Sequence, residues 1–266
     1  MFRLAPILIV FLWSSCAMAE VVGNEVTYQH GETVMNGYLA QDNAITGKRP
    51  GVIVVHEWWG HNAYARQRAD MLARLGYTAL AVDMYGDGKT ANHPEDAGKF
   101  AGEVKKDMSV AKARFQAALD LLNMQASVDN TKTAAIGYCF GGGLALEMAR
   151  MGVDLDAVAS FHGSLGTANP AQKGAVKTRI LVFNGGADPF VTPEQVDAFK
   201  KEMDAAGADY RFIEYPGVKH SFTNPDADEF GRQFNLPLQY NAEADKASWQ
   251  EMLDFFGTVF NQGTTG

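Results

Sequence analysis

Thr133-Ala-Ala-Ile-Gly137-Tyr-Cys139-Phe-Gly141-Gly-Gly143 decides the reading of this chain. Its first part, Thr133–Gly137, is small and apolar and reads as a short buried strand. Gly137-Tyr138-Cys139-Phe140-Gly141 has the G-x-nucleophile-x-G form, with cysteine in the place of the more familiar serine. Leu144–Met151 then reads as a helix. Strand, sharp turn and helix are the context in which such a turn exposes a nucleophile. The nucleophile sits at a strained backbone position, and a Cβ on either flanking glycine would clash with the adjoining strand or helix. The first helical turn points free N–H groups at the thiol and favours thiolate. A buried structural cysteine at a strand–helix junction is the competing reading.

Cysteine arithmetic weighs against that competitor. Residues 1–19 read as a cleavable signal peptide, with Arg3 as the positive n-region and Ala5–Trp13 as the apolar h-region. Ala17-Met18-Ala19 forms a small-x-small cleavage site, and the apolar run is too short to span a bilayer. The expected location is therefore the periplasm or outside the cell. Lipid attachment at Cys16 is the alternative, poorly served by Trp13 three residues earlier. The chain has two cysteines and Cys16 leaves with the signal, so Cys139 is the only thiol of the mature protein. A lone thiol in an oxidising compartment is a liability that a function explains better than packing does.

Residues 20–266 suit a single α/β domain with a substantial core. Loss of Arg3 turns 23 basic against 31 acidic groups into 22 against 31, a net charge of −9. That balance argues against nucleic acid and anionic membrane surfaces as partners. No second apolar stretch is long enough to span a membrane, and the chain is expected to act as a monomer on a small molecule.

Along the chain, Glu25–Gln29 and Thr33–Leu39 read as an edge hairpin. Gly51–Val55, Thr78–Val82, Ala157–Phe161, Ile180–Phe183 and Tyr210–Tyr215 read as strands. Helices are expected over Ala63–Leu75, Ala97–Gln125 with a break near Lys105–Asp107, Pro193–Ala206 and Asn241–Phe260. Thr192 is the expected N-cap of the third, with Pro193 at its first position. Asp83–His93 reads as a loop, and Asn224–Pro237 as a long polar loop. Alternating strands and helices predict a mainly parallel sheet flanked by helices on both faces, with the active site at the carboxyl ends of the strands.

A cysteine nucleophile needs a base, and the base an orienting acid. Asp188 follows the strand Ile180–Phe183, and His220 follows Tyr210–Tyr215. The order Cys139, Asp188, His220 is that of the α/β-hydrolase fold. Asp188 before Pro189 also reads as a turn residue, and His220 as a surface-loop histidine. His56 and His61 flank Glu57-Trp58-Trp59-Gly60, but no cysteine or carboxylate cluster at ligand spacing accompanies them, so neither a metal nor a cofactor is expected. Backbone N–H groups of Phe140 and Trp58 are the expected oxyanion donors. Trp58, Trp59 and Tyr85 are expected to wall the pocket and His162 to line it, with core packing as the alternative for Trp59.

These segments together resemble the dienelactone hydrolase family. The likeness rests on Gly137–Gly142, His56-Glu57-Trp58-Trp59-Gly60, Asp83-Met84-Tyr85, Gly186-Ala187-Asp188 and Gly217-Val218-Lys219-His220-Ser221-Phe222, and spans essentially the whole mature chain. The resemblance implies a Cys139–His220–Asp188 triad that hydrolyses a small ester or lactone through an acyl-thioester. It also implies that Glu57 contacts the resting thiol and moves when substrate binds; a solvated loop residue is the alternative read from the residues alone. The family's two carboxylate-binding arginines have no counterpart: Gly86-Asp87-Gly88 follows Tyr85, and Asn224 stands four residues after His220. Lys89 is the expected substitute, as a point charge rather than a fork. A thiol-based redox role for Cys139 and a non-catalytic ligand-binding role are the remaining readings.

Overall fold

The computed structural model describes residues 20–262; the expected signal peptide and Cys16 lie outside them. β1 (Val21–His30) and β2 (Thr33–Asp42) form the expected hairpin, with the turn at Gly31. β2 runs antiparallel to β4 (Thr78–Val82), and from there the sheet is parallel through β3 (Arg49–Val55), β5 (Val128–Tyr138), β6 (Ala157–Phe161), β7 (Arg179–Gly185) and β8 (Tyr210–Tyr215). The strand order is β1-β2-β4-β3-β5-β6-β7-β8.

Alternation along each strand splits the core in two. Ile53, Val55, Leu80 and Val82 face α2 (Pro94–Lys106), α3 (Met108–Asn123), α4 (Phe140–Arg150) and α5 (Pro193–Ala206). Val52, Val54, Ala134 and Ile136 face α1 (Ala63–Arg74) and α7 (Ala242–Gln262). Apolar side chains on both faces explain why these strands read as unbroken hydrophobic runs rather than alternating ones.

Helix boundaries follow local chemistry. α2 ends and α3 begins at Asp107, whose carboxylate accepts from the N–H groups of Ser109 and Val110, so the expected break is a cap. α5 carries a full capping box between Thr192 and Gln195 and ends on Gly207 in the left-handed region, φ 69°. One expectation fails. The stretch 224–237 is not a loop throughout but contains α6 (Ala227–Phe234), whose Phe230 and Phe234 cover Trp59. Two aromatics four residues apart among charged neighbours make one narrow apolar stripe, which a reading for polarity overlooks.

The β5–α4 junction leaves no room for side chains at its glycines. A Cβ on Gly137 would lie 2.1 Å from the Gly141 carbonyl oxygen, and one on Gly141 would lie 2.4 Å from the Val55 oxygen. These approaches press the start of α4 against the end of β3. Gly137→Ala forces backbone rather than a side chain to give way. It should cost about 3 kcal/mol or more, at the upper end of overpacking, and urea denaturation should show the loss.

Candidate active site

Cys139 separates β5 from α4 with φ 51° and ψ −113°, and is the free cysteine of the described residues. His162 and Ser221 also have positive φ, at 41° and 56°. All three lie just beyond a strand, so backbone strain gathers on one side of the sheet, as it does at functional sites. The expected convergence at the carboxyl ends of the strands is therefore where the strain is found.

Asp188 sits in the tight turn after β7, where its N–H donates to the Gly185 carbonyl at 3.0 Å. One carboxylate oxygen accepts from the Phe190 N–H at 2.8 Å, and the other lies 2.6 Å from His220 Nδ1. His220 is 6 % exposed, and it lines one cavity together with Cys139. Burial alone would lower the imidazolium pKa. The facing Cys139 sulfur and the hydrogen bond to Asp188 outweigh burial and hold it up to about 10. Such a pair can exchange a proton with a reacting group and keep the ring oriented.

Behind Cys139 lies a buried polar chain. The Cys139 N–H is shared between the Phe161 carbonyl at 3.0 Å and His162 Nδ1 at 3.1 Å. A nitrogen that accepts leaves the proton on Nε2, which donates to Thr223 Oγ1 at 2.7 Å. Thr223 Oγ1 meets the Tyr64 hydroxyl at 2.7 Å, and Tyr64 receives the Arg68 Nε–H. Arg68 is itself buried and paired with Asp245 at 2.6 Å. His162 is fully buried, and burial pushes its pKa well down. It therefore does not line the pocket as expected. It lies beneath Cys139 and joins it to the loop that carries His220.

Glu57 is 2 % exposed, so it is not a solvated loop residue. Its carboxyl accepts from Ser221 Oγ at 3.1 Å and Asn224 Nδ2 at 2.5 Å. Burial raises its pKa, against those two hydrogen bonds and the charge of His220. In this structure its hydrogen bonds go to the histidine loop rather than to the thiol. Asn224, standing where an arginine was expected, is thus a ligand of Glu57. Its role was invisible in the sequence because only the fold brings the two loops together.

Cys139, His220, Trp58 and Phe140 share a cavity of about 260 Å³ with Ala101, Phe190, Val191, Leu236 and Leu238, and with Lys105 and Ser164. Trp58 lines it as expected. Its carbonyl accepts the Tyr85 hydroxyl at 2.8 Å, so Tyr85 braces the loop from behind instead of walling the cavity. Tyr85 is buried because it packs on His56 and Phe140, with ring centroids 4.7 and 5.5 Å away. Trp59 turns away into a cluster with Ala91, Ala97, Phe230 and Phe234, which is core packing. Lys89 is also displaced. It pairs with Asp87 at 3.2 Å and borders a separate hollow lined by Glu103 and Asp107. Both ring nitrogens of His56 engage backbone: Nε2 accepts from Met84 at 3.3 Å, and Nδ1 donates to the Glu57 carbonyl at 2.5 Å.

The N–H of Phe140 opens α4 and is one of the donors that a helix start leaves unsatisfied. Phe140 directly follows Cys139 in the chain, and both residues line the cavity. Among the described residues no helix is long and apolar enough to cross a membrane.

Comparison with known proteins agrees with this architecture. The model of the dienelactone hydrolase family matches residues 35–260. Protein usf of Aquifex pyrophilus is 31 % identical over 208 residues, 76 % of this chain and 88 % of that one. A Yersinia pestis protein provisionally named a carboxymethylenebutenolidase is 30 % identical over 82 % of each chain. A solved dienelactone hydrolase-like promiscuous phosphotriesterase from metagenomic libraries superposes with a TM-score of 0.83 at 36 % identity, covering 90 % of this chain and 98 % of its own. With its mostly parallel sheet, its strand–turn–helix at Cys139 and these relatives, the chain belongs to the dienelactone hydrolase family, as a carboxylic ester or lactone hydrolase of the α/β-hydrolase fold.

Proposed function

We propose that this chain is an exported hydrolase that cleaves a small carboxylic ester or lactone with Cys139 as nucleophile, His220 as acid and base, and Asp188 as orienting acid. One observation carries the reading: the His220 ring, hydrogen-bonded to Asp188 at 2.6 Å, lines the same largely apolar cavity as Cys139. The Cys139 sulfur attacks the ester carbonyl carbon, and the N–H groups of Phe140 and Trp58 receive the charge that forms on oxygen. The carbonyl reforms as the C–O bond to the alcohol breaks, and the His220 imidazolium gives its proton to the departing oxygen. Water then attacks the thioester carbonyl, losing its proton to His220, and the C–S bond breaks to release the acid. In a lactone the alcohol and acid leave as one molecule.

Export rests on the charged, apolar and small-residue order of residues 1–19 and on the single thiol of the chain that follows. The apolar walls suit a small uncharged reacting centre. Hydrolysis of a short-chain 4-nitrophenyl ester and of a dienelactone by the mature protein, each with and without prior alkylation of its thiol, tests the assignment. Turnover of at least one that alkylation removes is expected. Turnover indifferent to alkylation would move the chemistry to another group. Rapid sulfenic acid formation by peroxide with no ester turnover would favour a redox thiol instead.

A further inference from the structure

The three strained turns at Cys139, His162 and Ser221 are tied together by one imidazole. The His162 N–H donates to the Phe183 carbonyl at 2.8 Å, which fixes its own turn to the end of β7. Its ring accepts the Cys139 N–H at Nδ1, 3.1 Å away, and reaches Thr223 Oγ1 from Nε2 at 2.7 Å. The same ring makes T-shaped contacts with His220 and Phe222, each with centroids 5.2 Å away. His162 and Thr223 are both fully buried and lie outside the cavity lining.

The loop that carries His220 is held at several points. His220 bonds to Asp188, and Ser221 and Asn224 bond to Glu57. Thr223 is the point from which hydrogen bonds run to the turn of Cys139, through His162. Its hydroxyl is itself fixed, because the bonds continue through Tyr64 to Arg68 and Asp245. The link imposes a condition on the ring. The Cys139 N–H is a donor, so Nδ1 has to be bare and the proton has to sit on Nε2, where Thr223 accepts it. The opposite tautomer would set Nδ1–H against the Cys139 N–H, donor against donor. A charged ring would do the same, and burial, with the positive charges of His220 and Arg68, opposes it. A residue at a φ of 51° keeps its place only while its surroundings hold it. The Cys139 N–H is held by two acceptors, the Phe161 carbonyl and His162 Nδ1.

We propose that His162 is a positioning residue for Cys139: as the neutral tautomer selected by Thr223, it holds the turn of the thiol in register with the loop of His220. The proposal rests on the catalytic reading above and adds to it a second histidine that acts through its neighbours rather than on the substrate. Register matters because a thiol misplaced from its base by about 1 Å loses about 10²-fold in rate.

Thr223→Val and Thr223→Ser separate this role from packing. Valine keeps the shape and branching of threonine but cannot accept the Nε2 proton, whereas serine keeps the acceptor and loses a methyl. With a short-chain 4-nitrophenyl ester, Thr223→Val should lower kcat/KM by about 10²-fold and Thr223→Ser by less than about threefold. Packing alone would reverse that order, because serine leaves the larger gap. Nitrogen-15 spectra of the histidine-labelled mature protein, with His162 assigned by its loss in His162→Asn, should show Nε2 protonated and Nδ1 bare. In Thr223→Val the two tautomers should mix. Should Thr223→Val fail to fold, His162→Asn and His162→Leu carry the comparison. The two are alike in shape, but the asparagine oxygen accepts the Cys139 N–H, so asparagine should be about tenfold more active than leucine. A proton on Nδ1 in the unmodified chain overturns this proposal alone, as does Thr223→Val as active as Thr223→Ser, or His162→Leu as active as His162→Asn. Absence of thiol-dependent turnover in the unmodified chain overturns the catalytic reading and this proposal together.

Discussion

Cys139→Ala should reduce hydrolysis of any ester that the unmodified chain cleaves by about 10⁴-fold or more. Removal of a covalent nucleophile from a cooperating set costs on this order, and what remains comes from binding and the oxyanion donors. Alanine is a clean substitution here. It keeps a Cβ at the φ of 51° that Cys139 already tolerates, so the strain of the turn is unchanged. Cys139 is only half-buried, and loss of its sulfur opens an existing cavity rather than a closed core. Thermal stability should therefore move by less than about 1 kcal/mol, and a steady-state assay read beside a melting curve separates chemistry from folding. Mass spectrometry of a rapidly quenched reaction should show an acyl adduct on Cys139 in the unmodified chain and none in the variant. Retention of most of the activity would mean that the nucleophile lies elsewhere.

What could be read from the sequence follows from range. Thr78–Val82, Ala157–Phe161 and Tyr210–Tyr215 have the boundaries that their apolar or β-prone runs predict. Pro193–Ala206 does too, because Thr192 and Pro193 specify a helix start from two adjacent side chains. The parallel sheet followed from the alternation of such elements, and the grouping of Cys139, Asp188 and His220 from the rule that parallel strands share a carboxyl end. Errors came where an answer depended on which way a loop turns. Trp58 and Trp59 are neighbours, yet one lines the cavity at Cys139 and the other packs under α6. Lys89 is close to Tyr85 in sequence, but the chain carries it to a different hollow, while Lys105 returns to the site at the far end of α2. The bonds from Ser221 and Asn224 to Glu57 cross more than 160 residues of sequence, with separations of 164 and 167. No local pattern encodes contacts of that separation. The apolar ends of the loop after α6, Leu236 and Leu238, were the available signal that it faces a cavity rather than water.

Asp188→Asn should lower kcat/KM for a neutral ester by about 10³- to 10⁴-fold, the scale of the corresponding change in serine triads. It should also move the alkaline limit of activity. The sign follows from the proton that His220 must give to the leaving oxygen. The imidazolium is held up to about 10, with the hydrogen bond to Asp188 among the causes that raise it. Activity that needs the protonated ring is therefore expected to persist through neutral pH and to fall as pH rises through about 10. An asparagine removes the negative charge and offers either an amide oxygen or an N–H to Nδ1, 2.6 Å from the present carboxylate. The oxygen still accepts from Nδ1–H but stabilises the imidazolium less, because it carries no full charge. The N–H pairs only with an unprotonated Nδ1, which leaves the neutral ring with its proton on the nitrogen facing Cys139 and unable to act as base there. Both outcomes weaken the charged ring against the burial that opposes it, so the alkaline limb should shift to lower pH. The shift distinguishes this role from a structural one. If Asp188 served only to hold the turn through the Phe190 N–H at 2.8 Å, an asparagine oxygen would keep that bond, and neither the rate nor the limb should change. A rate loss of about 10³-fold with the limb still near 10 would show that the proton donor is not His220.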